Sequence, residues 1–215
     1  MAQLFPRWIN RIPSLLVLGV VAVVTFLVFS IWYWWSPWYT DVGYAPIQPV
    51  PYSHKLHAGE LGIDCRYCHT GVEVSSVAMV PPTQTCMNCH AMIKADSPKL
   101  TALRDSWNNK TPMEWVRIHK IPDYAYFDHS VHIHAGVGCE TCHGNIASME
   151  RVAQNKPLSM KWCLDCHRNP DPYLRPAHAV TVMNWTPPAN QMAFAAEVKK
   201  TKHINPPVTC AGCHR

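Results

Sequence analysis

The sequence predicts a loop-rich, mainly short-helical domain with little or no sheet, held on one N-terminal transmembrane helix. Three observations lead there. No charged residue lies between Arg11 and Asp41, and residues 15–35 are almost wholly apolar. The 215 residues hold 19 Pro but only 9 Gly, so rigid turns interrupt the backbone often. All ten cysteines fall in one repeated pattern, which leaves none for a disulfide framework.

About 20 apolar residues suffice to cross a bilayer core as a helix. The run ends in Trp32, Tyr33, Trp34, Trp35, Trp38 and Tyr39, residue types that settle at membrane interfaces, and Pro37 discourages continuation. A cleaved signal peptide would have a shorter apolar core and small residues at the cut site. Bulky aromatics stand in that place, so the segment reads as an uncleaved anchor. Arg7 and Arg11 precede it, and the next basic residue is Lys55. That asymmetry predicts a cytoplasmic tail at 1–11, an anchor at 12–39 in the inner membrane, and everything beyond on the periplasmic or outer face. Residues 40–51 hold Pro46, Pro49 and Pro51 and read as an extended linker.

Beyond the linker the chain repeats itself. Tyr52-Ser53-His54-Lys55-Leu56-His57 precedes the runs Cys65–His69 and Cys86–His90. Phe127-Asp128-His129-Ser130-Val131-His132 precedes Cys139–His143 and Cys163–His167, and a fifth run, Cys210–His214, closes the series. The division predicted is 52–126 for a first pair of sites with a spacer, 127–180 for a second pair, and 181–215 for a segment with the fifth. Helix periodicity is weak, and short helices are expected at 98–107 and 189–200. Charged residues make up 15%, below the roughly 25% of an average globular chain, and the net charge of +5 comes without a basic cluster. A nucleic-acid partner is therefore not expected.

Each run is C-x-x-C-H, the attachment signature of c-type haem. Two thiols bond the haem vinyl groups, and the adjacent His becomes the proximal iron ligand. Five copies predict five covalent haems, attached through Cys65, Cys68, Cys86, Cys89, Cys139, Cys142, Cys163, Cys166, Cys210 and Cys213, with His69, His90, His143, His167 and His214 on iron. Zinc ribbons use two C-x-x-C units per metal, which an odd number cannot supply, and they have no need for a His after each pair. The fold class is thus a multihaem cytochrome c, in which haem provides much of the apolar interior that a loop-rich chain cannot.

Eight histidines lie outside the motifs. Low-spin electron-transfer haems need a second axial ligand, which gives these residues a use. The H-x-x-H doublets offer His54, His57, His129 and His132, and the spacer offers His119. His134 competes with His132, because His134-Ala135-Gly136 matches His57-Ala58-Gly59. His178 and His203 read as ordinary surface residues. Methionine is the other option for a sixth ligand, and Met149 and Met160 are preferred to Met79.

These residues resemble the pentahaem, membrane-anchored cytochrome c subunit of alternative complex III, a bacterial quinol:electron-acceptor oxidoreductase. The likeness rests on the single anchor, on YSHKLHAGELGIDCRYCH, PTQTCMNCH, HKIPDYAYFDHSVH, GCETCHG, PLSMKWCLDCHR and LRP, and on the terminal CAGCHR. It implies an electron relay with no substrate site of its own. It also implies an iron–sulfur subunit, a multispan quinol-binding subunit and a monohaem cytochrome c as partners, with a soluble carrier or oxidase as acceptor. Mostly bis-His haems with at least one His/Met haem are implied too. A quinol dehydrogenase of the NapC/NirT type is the alternative, but the first motif here stands 30 residues past Trp35 and has its own His doublet. A catalytic multihaem reductase needs an open iron, often beside C-x-x-C-K, and no such run occurs. A purely structural haem protein would leave its haems unreduced by quinol.

Overall fold

A computed structural model describes residues 4–214 and separates the chain into two compact units, Met1–Asp41 and Val42–Arg215. Three residues of the expected tail, and the terminal Arg215, lie outside the described residues.

In the first unit a 3-10 turn, Arg7–Arg11, runs into helix α1, Ile12–Trp34. Pro13 falls in its first turn, where a missing N–H removes no helical hydrogen bond. At about 1.5 Å per residue, 23 residues reach about 35 Å, enough for a hydrocarbon core of about 30 Å. The helix is apolar all round, with a mean hydropathy of 2.8 over its most apolar stretch. Such a helix has no polar face to turn to water. It stops at Trp34, short of the expected residue 39, and a separate turn, α2, follows over Pro37–Thr40. Pro37 causes the break, because it has no N–H to continue the ladder.

The second unit is built from short helices: α3 (Cys65–Cys68), α4 (Thr83–His90), α5 (Thr101–Asn109), α6 (His129–Ala135), α7 (Cys139–His143), α8 (Met160–Arg168), α9 (Gln191–Thr201) and α10 (Cys210–Cys213). A π-turn spans Lys55–Glu60. The described residues contain no strand, only isolated bridges between Ala125 and His214 and between Val137 and Leu174. The helix expected at 98–107 is a 3-10 turn, Pro98–Leu100, that leads into α5; the one expected at 189–200 is α9. Lys110 ends α5 in the left-handed region, with φ of 54°.

The Pro-rich stretch runs against this unit rather than standing off it. The Gly43 amide donates to the Gln154 carbonyl (2.8 Å), the Gln154 amide donates to the Tyr44 carbonyl (3.0 Å), and Val50 is buried. Buried apolar residues among those described are few: Val50, Leu103, Leu174, Ala179, Val180 and Ala195. A unit of this size ordinarily buries more. The shortage fits a domain whose interior is filled by bound cofactors.

Candidate haem sites

Each C-x-x-C-H run lies on or at the end of a short helix. Three-residue spacing puts both thiols on one helix face, with the His one step further along. Local sequence starts these helices. Asp64 caps α3 by accepting from the Arg66 amide (2.8 Å), and Ser159 caps α8 by accepting from the Trp162 amide (3.4 Å). Asp128 does the same for α6, the helix that carries the second doublet, by accepting from the Ser130 amide (2.8 Å). None of the ten cysteines forms a disulfide, and Cys89 and Cys210 are exposed.

Four motif histidines face an imidazole from a doublet. The ring centroids lie 6.4 Å apart for His54 and His69, 6.1 Å for His57 and His90, 6.4 Å for His129 and His143, and 6.1 Å for His132 and His167. A metal held between two imidazole nitrogens sets the centroids about 6.3 Å apart, from roughly 2.0 Å per bond and roughly 1.15 Å from nitrogen to ring centre. Aromatic rings in direct contact also cover this range. One spacing recurs in four motif-to-doublet pairs, and it is the spacing at which two imidazoles would hold one iron. The donor set therefore fits haem iron. The planes are nearly parallel in the first and third sites (1° and 8°), 33° apart in the fourth and 62° apart in the second.

Hydrogen bonds fix which nitrogen is free. A carbonyl only accepts, so an Nδ1 bonded to one carries the proton and leaves the Nε2 lone pair for a metal. His69 donates in this way to Met79 (2.7 Å), His90 to Ile93 (2.9 Å), His167 to Pro207 (2.7 Å) and His214 to Tyr124 (3.1 Å). In the doublets His57 donates to Ser53 (2.8 Å), His132 to Asp128 (2.7 Å) and His129 to Ser76 (2.8 Å). Burial acts in the same direction, since it favours the neutral, ligating form. It lowers the His143 pKa to about 3, helped by His119, His129, His69 and His54, and lowers that of His54 to about 4, helped by His69 and His57.

Sequence reasoning missed two parts of these sites. One aromatic ring holds each doublet. Tyr52 meets His54 edge-on (4.8 Å, 86°) and stacks on His57 (4.4 Å, 24°); Phe127 meets His129 (4.7 Å, 89°) and stacks on His132 (4.5 Å, 29°). Their repeated place two residues before the doublet was the available signal. The second is a buried ion pair at the third motif. Arg175 donates to Glu140 (2.6 Å) and also to the Val182 carbonyl (2.9 Å), while its guanidinium lies over Trp185 at 4.8 Å.

The remaining candidates fall elsewhere. His119 is half-buried, with its Nε2 buried and unpartnered, and burial followed by His129 lowers its pKa to about 4. It meets His143 edge-on at 4.3 Å, too close for an iron between the two rings. His134 is exposed and donates to the Ser130 carbonyl (2.8 Å), so His132, not His134, faces His167. His178 and His203 are exposed. The carbonyl of Met149 accepts from the Lys55 amide (3.0 Å), beside the first doublet. Met160 opens α8 and is 66% exposed, and the imidazole of that helix already faces His132. No imidazole faces His214 at this spacing among the described residues; the ring of Tyr124 lies 5.8 Å from it.

Comparison with known proteins agrees in kind. Residues 131–215 match the cytochrome c3 family. The chain is 26% identical, over 171 residues, to the multiheme cytochrome c subunit of menaquinone reductase from Nitratidesulfovibrio vulgaris, covering 69% of this chain and 79% of that one. It is 28% identical over 116 residues to a probable nitrite reductase–hydroxylamine oxidoreductase fusion protein from Kuenenia stuttgartiensis, covering 51% of this chain and 13% of that much longer protein. With its C-x-x-C-H runs, its opposed imidazoles and its cytochrome c3 match, the chain is a multihaem cytochrome c, mostly helical and loop-rich, with one apolar helix near its N-terminus.

Proposed function

We propose that this chain is the electron-relay subunit of a membrane-bound, quinol-linked oxidoreductase, holds five covalent c-type haems, and is anchored by α1 with its haem domain on the periplasmic or outer face. The observation that carries this reading is the set of four opposed imidazole pairs, each joining a motif His to a doublet His. Each haem, when bound, supplies one reversible electron at its iron. The chain's own residues do the rest. The motif cysteines fix each macrocycle covalently. In each of these four sites a motif His and a doublet His would hold the iron from opposite sides, which would leave no position there for a substrate. Backbone carbonyls hold the tautomers of His57, His69, His90, His129, His132 and His167, and Tyr52 and Phe127 hold the ring planes of the doublets. At these four sites the chain is accordingly a relay.

The likeness to the pentahaem subunit of alternative complex III supports quinol as donor and a periplasmic carrier or oxidase as acceptor, with iron–sulfur, multispan and monohaem subunits alongside. The relative named as a menaquinone reductase subunit supports a second reading, in which the same relay carries electrons towards quinone. Redox titration of the intact complex, followed by addition of quinol or of oxidised quinone, separates the two directions. Intact-mass analysis of the chain isolated from that complex tests the haem count. Five haem increments are expected, with one lost in each double Cys→Ala motif variant. Fewer than five increments in the unmodified chain contradicts the reading.

A further inference from the structure

We infer that the five sites form one unbranched series in the order second, first, third, fourth, fifth, so that Cys86–His90 and Cys210–His214 are the two ends at which electrons enter and leave. The inference rests on the proposed haem occupancy and concerns which sites are neighbours. Sequence order alone would place the second site beside the third; the contacts place the first there instead.

The second and first sites share Tyr52, whose ring touches both His54 and His57. Their motifs also meet directly, where the Asn88 side-chain amide donates to the Tyr67 hydroxyl (3.2 Å). The first and third sites share a loop. The Met79 carbonyl receives the proton of His69, and the Ser76 carbonyl three residues earlier receives that of His129. The Ser75 carbonyl accepts from the Ser130 amide (3.2 Å). The side chains of Cys65 and Cys139 lie beside each other. Each of these thiols is the point where its own haem edge would be fixed, so the two attachment edges meet.

The third and fourth sites share Phe127, as the first two share Tyr52. The fourth and fifth are joined through residue 207. The Pro207 carbonyl receives the proton of His167, and the ring of Pro207 packs so closely under Gly212, inside the fifth motif, that no side chain would fit there. The Tyr126 amide donates to the Cys213 carbonyl (2.8 Å), one residue before the Phe127 ring that stacks on His132. An independent observation supports the ends: the two exposed motif cysteines, Cys89 and Cys210, belong to the second and fifth sites.

The test is an iron anomalous map, or an equivalent density map, of the intact complex, with each iron assigned to its motif by the attached cysteines. The inference expects the nearest neighbours to be second with first, first with third, third with fourth, and fourth with fifth. A second-site iron nearest to the third, or a fifth nearest to the first or second, overturns the order. The haem count from intact mass is read separately. A missing haem contradicts the proposed occupancy, while the neighbours of the irons present still decide the order.

Discussion

The two doublet modules, residues 52–90 and 127–167, reach the same imidazole geometry through different local structure. In both, an aromatic ring meets one imidazole edge-on and stacks on the next, and the ring separations to the motif histidines agree to 0.1 Å or better, at 6.4 and 6.1 Å. The backbone beneath differs. The first doublet leads into a π-turn, Lys55–Glu60, and the second opens α6. The surroundings differ more. Arg66 of the first module pairs with Asp64 and Glu73 near the surface, with 40% of its side chain exposed, whereas Arg175 reaches Glu140 of the second module with 5% exposed. Imidazole placement is thus repeated, while the means of support is not. The second module is braced by a buried polar network and by Leu174, Ala179 and Val180; the first has surface charges and a shared loop.

Substitutions can break this contrast. Arg175→Met leaves the mostly buried Glu140 with only the Asn184 and Trp185 amides as donors and is expected to destabilise the haem-loaded chain by about 3–5 kcal/mol, while Arg66→Met is expected to cost about 0–1 kcal/mol. Urea midpoints of the two variants check this, and equal losses would remove the distinction between the modules. Leu174→Ala is expected to cost about 2–5 kcal/mol, because Leu174 is fully buried. The glycines of the two His-Ala-Gly runs provide a symmetric case. An added methyl at Gly59 would strike the Ala147 carbonyl, and one at Gly136 the Arg175 carbonyl. Each Gly→Ala change is expected to cost about 1–3 kcal/mol by overpacking. Gly136 should cost more, because it ends α6 at a φ of 96°. The smallest effect is expected at Tyr52→Phe, which makes the first aromatic clamp the same as the second. The volume is nearly conserved, so the midpoint should move by less than about 1.5 kcal/mol and the haem spectrum should be unchanged.

Much of this was legible in the sequence, for physical reasons that differ from part to part. The anchor shows because a bilayer demands a long uncharged run, and the haem-attachment runs show because thioether chemistry demands a fixed spacing of Cys, Cys and His. The doublets show because they repeat. The pairing of rings does not show, since it joins residues across the chain. Choosing His132 over His134 required the helical turn that sets His132 on the same side as His129. The acceptors for Nδ1 are backbone carbonyls of Met79, Ile93, Pro207 and Tyr124, which carry no residue signature. The Glu140–Arg175 pair spans 35 residues, and only folding reveals it. His119 looked like a spare ligand by composition, yet its ring packs on His143.

The central claim is the set of four imidazole pairs, and electron paramagnetic resonance of the oxidised complex tests it most directly. Four bis-imidazole low-spin irons are expected. The 62° crossing of His57 and His90 should give one of them a more anisotropic signal than the near-parallel first and third sites. His54→Ala, His57→Ala, His129→Ala and His132→Ala should each convert one of these signals to high-spin, with His57→Ala removing the most anisotropic one, and His134→Ala should convert none. Loss of a bis-imidazole signal in His134→Ala, or the survival of all four in His132→Ala, would contradict the account.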